Sequence, residues 1–98
     1  MMIPYSFRLG RRAYDIRSVR KLPSGHVGEV HFDLGVLKLA WTGRGNKDRT
    51  PVQRAETFWH EVTHAILHDM GNPLWKNEQF VTQFSKRLNQ VVQTAKLT

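Results

Sequence analysis

Apolar side chains recur at helical spacing through residues 51–70, where Ala55, Phe58, Trp59, Val62, Ala65, Ile66 and Met70 make one side of a helix. Both ends of that helix are marked. Thr50 is a hydroxyl N-cap, Pro51 suits the first helical position and Gln53 completes a capping box, while Gly71 and Pro73 form a stop. A second periodic segment follows the turn at Gly71-Asn72-Pro73, with Phe80, Val81, Phe84, Leu88, Val91 and Val92 on one face. Ahead of the helices, residues 5–9, 14–19, 27–33 and 36–40 show period-2 elements or aromatic and β-branched enrichment, which predicts short strands. Asp33-Leu34-Gly35 and residues 21–25 read as turns. Residues 42–48, TGRGNKD, lack apolar side chains and hold two glycines, which predicts a mobile loop joining sheet to helix. There is no repeat, heptad array or linker. The expected architecture is a single α+β domain over residues 1–98: a small antiparallel sheet of three to four strands, then two helices.

The candidate chemistry lies on the first helix, in His60-Glu61-Val62-Thr63-His64. Positions four apart share a helix face, so both imidazoles can reach one metal ion. Glu61 stands at the edge of that stripe, placed to accept a proton from a water on the metal, which is the physical content of the H-E-x-x-H pattern. A catalytic zinc site needs a third protein ligand. His68 continues the stripe but lies about 12 Å along the axis from His60, too far for bonds of about 2 Å to a shared ion. The metzincin extension is absent, because Leu67 and Met70 occupy its positions. Glu78, in the first turn of the second helix after the chain reverses at Gly71, is the best third ligand; it would also suit the helix dipole there. Glu56 and Asp69 are weaker candidates, since a third ligand on the same straight helix meets the axial-distance problem again.

The run AETFWHEVTHAILHDM from Ala55 to Met70, followed by NEQFVTQFSKRLNQVV from Asn77, resembles the compact gluzincin-type metallopeptidases of the ImmA/IrrE and minigluzincin kind, including small phage-encoded members. The likeness covers about half of the chain closely. It implies a zinc-dependent peptidase fold with His60, His64 and Glu78 as Zn2+ ligands and Glu61 as general base. It also suggests a protein or peptide substrate, such as a DNA-bound regulator. GEVHFDLGVLKLA, from Gly28 to Ala40, is similar to the strand-turn-strand that precedes the active helix in these proteins. Substrate would then pair with an edge strand by β-augmentation, and residues 36–40 are the expected edge. Candidates to support a developing oxyanion are His26, His31, Tyr5, Tyr14 and the arginines before the helix.

Composition narrows the setting. There is no cysteine, which excludes disulfides and thiolate metal sites and fits a reducing cytosol. Residues 1–10 have no apolar core of signal-peptide length, and no segment approaches the about 18–20 apolar residues of a membrane span, so a cytoplasmic protein without a membrane partner is expected. Residues 1–54 hold eleven Lys and Arg against four acids, whereas residues 55–98 hold four against four, so the net charge of +7 sits in the sheet half. Arg8, Arg11, Arg12, Arg17, Arg20 and Lys21 are its densest run. That charge supports an alternative function, a catalytically inactive module holding nucleic acid or a protein partner through its basic half.

Overall fold

The computed structural model describes residues 3–96. Four strands come first: β1 (Ser6–Leu9), β2 (Arg12–Val19), β3 (Gly28–His31) and β4 (Val36–Ala40). A short 3-10 turn, Arg44–Asn46, leads to helix α1 (Pro51–Asp69); a second, Pro73–Lys76, leads to helix α2 (Glu78–Thr94). The α+β order expected from the periodicity is the one observed. No helix among the described residues is long and apolar enough to cross a membrane.

The sheet is mixed rather than wholly antiparallel. Its strand order is β1-β2-β4-β3, with β1–β2 and β3–β4 antiparallel but β2–β4 parallel, from Asp15↔Val36 to Val19↔Ala40. β4 therefore runs inside the sheet, and β3 is the outer strand on its far side. Burial explains the arrangement. In β4 Val36, Leu37, Leu39 and Ala40 are all buried, so both faces of this strand need cover. A near-continuous apolar run is the mark of an interior strand, and the parallel pairing is reached through a crossover long enough to include β3.

α1 lies across one face of the sheet. Leu37 and Leu39 pack with Phe58 and Val62, and Phe7, Ile16, Val30, Trp59 and Ile66 close around them. Phe7 stacks on Tyr14 at 5.1 Å between ring centroids and meets Phe58 edge-on at 6.3 Å. The loop expected over residues 42–48 is drawn closed, by a Thr42–Asp48 bridge and a Gly43 N–H to Lys47 carbonyl bond of 2.7 Å.

Both ends of α1 follow the sequence. The Thr50 hydroxyl accepts from the Gln53 N–H at 3.1 Å, and the Gln53 side chain accepts from the Thr50 N–H at 2.9 Å. At the other end Gly71 has φ +67°. Its N–H bonds the His68 carbonyl at 3.0 Å while the Asn72 N–H reaches Leu67 at 2.9 Å, a Schellman closure in which left-handed backbone favours glycine.

α2 is rotated from the expected orientation. Val81, Ser85 and Asn89 are buried, whereas Phe84 and Val91, expected on the core face, are 47% and 62% exposed. The reason is positional. Glu78, Ser85 and Asn89 are seven and eleven residues apart on one stripe, so turning Glu78 toward α1 turns Ser85 and Asn89 inward with it.

Candidate metal centre

The two histidines project from the side of α1 that faces away from the sheet core, with their rings 5.0 Å apart. Glu78 reaches them because three local devices act in sequence. The Gly71 closure reverses the chain, the Asn72 side chain caps the next turn by accepting from the Leu74 N–H at 3.0 Å, and Asn77 caps α2 by accepting from the Phe80 N–H at 3.0 Å. The first residue of α2 is then Glu78. Its Oε2 lies 3.1 Å from His60 Nε2 and its Oε1 lies 2.7 Å from His64 Nε2.

His60, His64 and Glu78 form a group that could hold a metal ion, with one ligand atom from each lying within 4.8 Å of the others. His64 carries a further adaptation. Its Nδ1 is 2.6 Å from the Trp75 carbonyl, which can only accept, so Nδ1 donates and Nε2, turned toward Glu78, is the nitrogen that a metal would take. Burial lowers the His60 pKa, the Glu78 carboxylate opposes it, and proximity to His64 adds to the lowering. A lowered pKa favours the neutral imidazole, the form able to ligate.

Glu61 is placed differently. It is 8% exposed, and burial pushes its carboxyl pKa up to about 7, with the Glu78 and Glu29 charges adding to the rise. The outer strand β3 comes right against it. A Cβ built on Gly28 would lie 2.6 Å from Thr57 Cγ2 and 3.0 Å from both Glu61 Cγ and Oε2, so no larger residue fits without displacing the carboxylate. Gly28→Ala is expected to destabilise the fold by about 1–3 kcal/mol through overpacking. Adding Thr57→Ser removes the methyl that the new side chain meets and keeps the hydroxyl. A denaturant double-mutant cycle should then show favourable coupling between the two substitutions; additive losses would disprove the contact.

An open cleft of about 970 Å³ runs between β3, α1 and the start of α2, lined among others by Val27, Glu29, His31, Trp75 and Thr82. Its strand wall is β3, which corrects the expectation that residues 36–40 form the edge. β4 is covered on both sides by β2 and β3, and the register leaves β3 with one flank unpaired.

The remaining candidates separate cleanly. His68 is no ligand: it stacks on Phe32 at 3.8 Å and 3°, with the Trp75 ring edge-on at 5.3 Å. Glu56 lines the cleft outside the ligand group, while Asp69 lines a separate pocket with Arg12 and Tyr14. Of the proposed oxyanion donors, His26 and His31 line the cleft. Tyr5 is 94% exposed and Tyr14 belongs to the other pocket, so neither serves it. His31 Nε2 lies 3.1 Å from Glu29 Oε2, and Ser24 Oγ donates to Glu29 Oε1 at 2.8 Å. The bond from Ser24 and then that from His31 lower the Glu29 pKa, so this carboxylate stays ionised in the cleft wall.

Sequence reasoning missed Gly28 and Trp75. The signal for Gly28 was a glycine inside a strand, which often marks a close backbone approach. Trp75 acts through its carbonyl, which every residue type possesses. Compared with family models, curated proteins and solved structures, the chain matches none of them.

Proposed function

We propose that this protein is a zinc-dependent peptidase of the compact gluzincin kind that its sequence resembles, hydrolysing peptide bonds of a protein substrate. One observation carries the reading: His60 Nε2, His64 Nε2 and the Glu78 carboxylate converge beside a second, buried carboxylate, Glu61. Two imidazoles and one carboxylate are a catalytic zinc donor set that leaves coordination positions open, and the residues present fit it. When bound, the ion supplies Lewis-acid polarisation of a carbonyl and a more acidic water.

The other tasks fall to the chain itself. The Trp75 carbonyl holds the His64 ring in the tautomer that leaves Nε2 free. Glu61 takes a proton on a carboxylate oxygen as the nucleophile forms and returns it to the leaving amine; a raised pKa suits a group that must both accept and donate near neutral pH. The unpaired flank of β3 supplies backbone donors and acceptors for an extended substrate. Gly28 brings that strand against Glu61, which would place a paired peptide backbone beside the base.

The test is a peptide library incubated with zinc-loaded protein and read by mass spectrometry, with Glu61→Gln run in parallel. Cleavage by the native chain alone supports the proposal. Equal cleavage by both proteins, or by neither when each carries one equivalent of zinc, overturns it.

A further inference from the structure

Among the described residues the carboxylates at ion-pair distance face histidines, in His31–Glu29, His60–Glu78 and His64–Glu78, and none of the fifteen lysines and arginines lies within that distance of a carboxylate. The cations are also not spread as the sequence runs suggest. Tertiary contacts gather Arg20, Lys21, Arg44, Lys47, Arg49 and Arg54 at the end of the molecule where β2 and β4 finish and α1 begins. The Thr42 N–H bonds the Arg20 carbonyl at 3.1 Å, the Gly43 N–H bonds Lys47, and the Arg49 N–H bonds the Trp41 carbonyl at 2.9 Å. Asp48 is the acid of this loop, and it pairs with Thr42 through backbone.

Two of these side chains have donors with nowhere to go. Arg49 Nη1 and Arg54 Nε are buried without a hydrogen-bond partner, although Arg49 Nη2 donates to Thr57 Oγ1 at 2.8 Å. Burial lowers the Arg49 pKa and the neighbouring Arg54 charge lowers it further, against a smaller opposing effect from Glu56. Their idle N–H groups lie below the surface, where the two like charges add to the positive potential that the exposed cations around them present. Around this pair Arg20, Lys21, Arg44 and Lys47 are exposed.

We infer that this end of the molecule is a docking surface for the phosphate backbone of nucleic acid, separate from the metal group. Six cations contributed by a strand end, a loop and the first helical turns exceed what one small anion needs. They match a polyanion with regularly spaced charges. Two of the four exposed cations, Arg20 and Arg44, are arginines, whose planar forks pair with phosphate in bidentate fashion. The surface offers Val52, and Val27 where its carbonyl meets the Ala40 N–H, as large exposed apolar side chains. A protein interface needs an apolar anchor cluster and a membrane-surface helix needs an apolar face, and two valines on separate segments supply neither.

The experiment is fluorescence anisotropy of short, arbitrary-sequence duplex DNA with the intact chain across a salt series. Log affinity should fall linearly with log salt. Arg44→Glu with Lys47→Glu, and separately Arg20→Glu with Lys21→Glu, should each weaken binding about tenfold at low salt and flatten the salt slope by about 2. All four side chains are exposed, and far-UV circular dichroism checks that each variant folds. Arg87→Glu on α2 with Lys96→Glu just past its end should change affinity less than about twofold if the surface is local. Equal losses from this second pair would reduce the effect to net charge and overturn the proposal, as would absence of duplex binding. Competition by phosphatidylserine-containing vesicles or by polyglutamate as effective as unlabelled DNA would also overturn it. None of these outcomes depends on whether the cleft hydrolyses peptides.

Discussion

Glu61→Gln is expected to leave metal binding intact and to lower peptide hydrolysis by about 10²–10⁴-fold, the usual contribution of a positioned acid–base group. Glutamine keeps the shape and removes the ability to take the proton. Zinc content by elemental analysis and cleavage by mass spectrometry measure the two halves separately. The same substitution has a second consequence, visible without any substrate. In metal-free protein the Glu61 pKa is raised from 4.5 to about 7. Between those values the folded chain holds a proton that the unfolded chain has released, so the native protein loses stability as pH rises through this window. Glutamine does not titrate. The metal-free variant should therefore be more stable than the native chain above about pH 7, by up to about 3 kcal/mol, with that advantage vanishing below about pH 4.5. Urea unfolding across this range checks it, and a difference independent of pH would show that Glu61 is not held protonated by burial.

Glu78→Ala should have the largest effect on metal affinity. Loss of a group outside the ligand shell costs about 10–100-fold in affinity, and removal of one of three protein ligands should exceed that. Stability should respond little in the metal-free protein, within about 0.5 kcal/mol, because the Glu78 side chain is 69% exposed and its helix is independently capped by Asn77. Chelator competition gives the affinity, and thermal unfolding without metal gives the stability. Unchanged zinc affinity would dismantle the three-residue site. A loss of both together would assign Glu78 a structural role.

The parts of this protein that were legible in its sequence are the locally encoded ones. The Thr50–Gln53 box and the Gly71 closure define α1 within a few residues of each boundary, so the His60–His64 spacing could be placed on a helix face by arithmetic. Glu78 was accessible for a related reason. A reversal at Gly71, followed closely by a second helix, leaves the first turn of that helix few places to go. The interior position of β4 was also encoded, in the apolar character of Val36-Leu37-Lys38-Leu39-Ala40, broken only by Lys38, and the antiparallel expectation passed over it.

Other features have no local signature. The apolar positions Phe80, Val81, Phe84, Leu88, Val91 and Val92 announce an inward face for α2; Val81 is buried, yet Ser85 and Asn89 are buried with it while Phe84 and Val91 turn outward, because one rotation must serve every residue of a rigid helix. The carbonyl that fixes the His64 tautomer belongs to Trp75 by position alone. Gly28 touches Glu61 only because β3 lies outside β4, and Arg20 joins Arg49 and Arg54 only because β2 and β4 end side by side. By itself the sequence determined the elements, their caps and the residue types able to hold a metal. The tertiary structure alone decided which strand borders the cleft, which way α2 faces and which cations gather, since these follow from strand order and helix rotation, set by packing between distant segments.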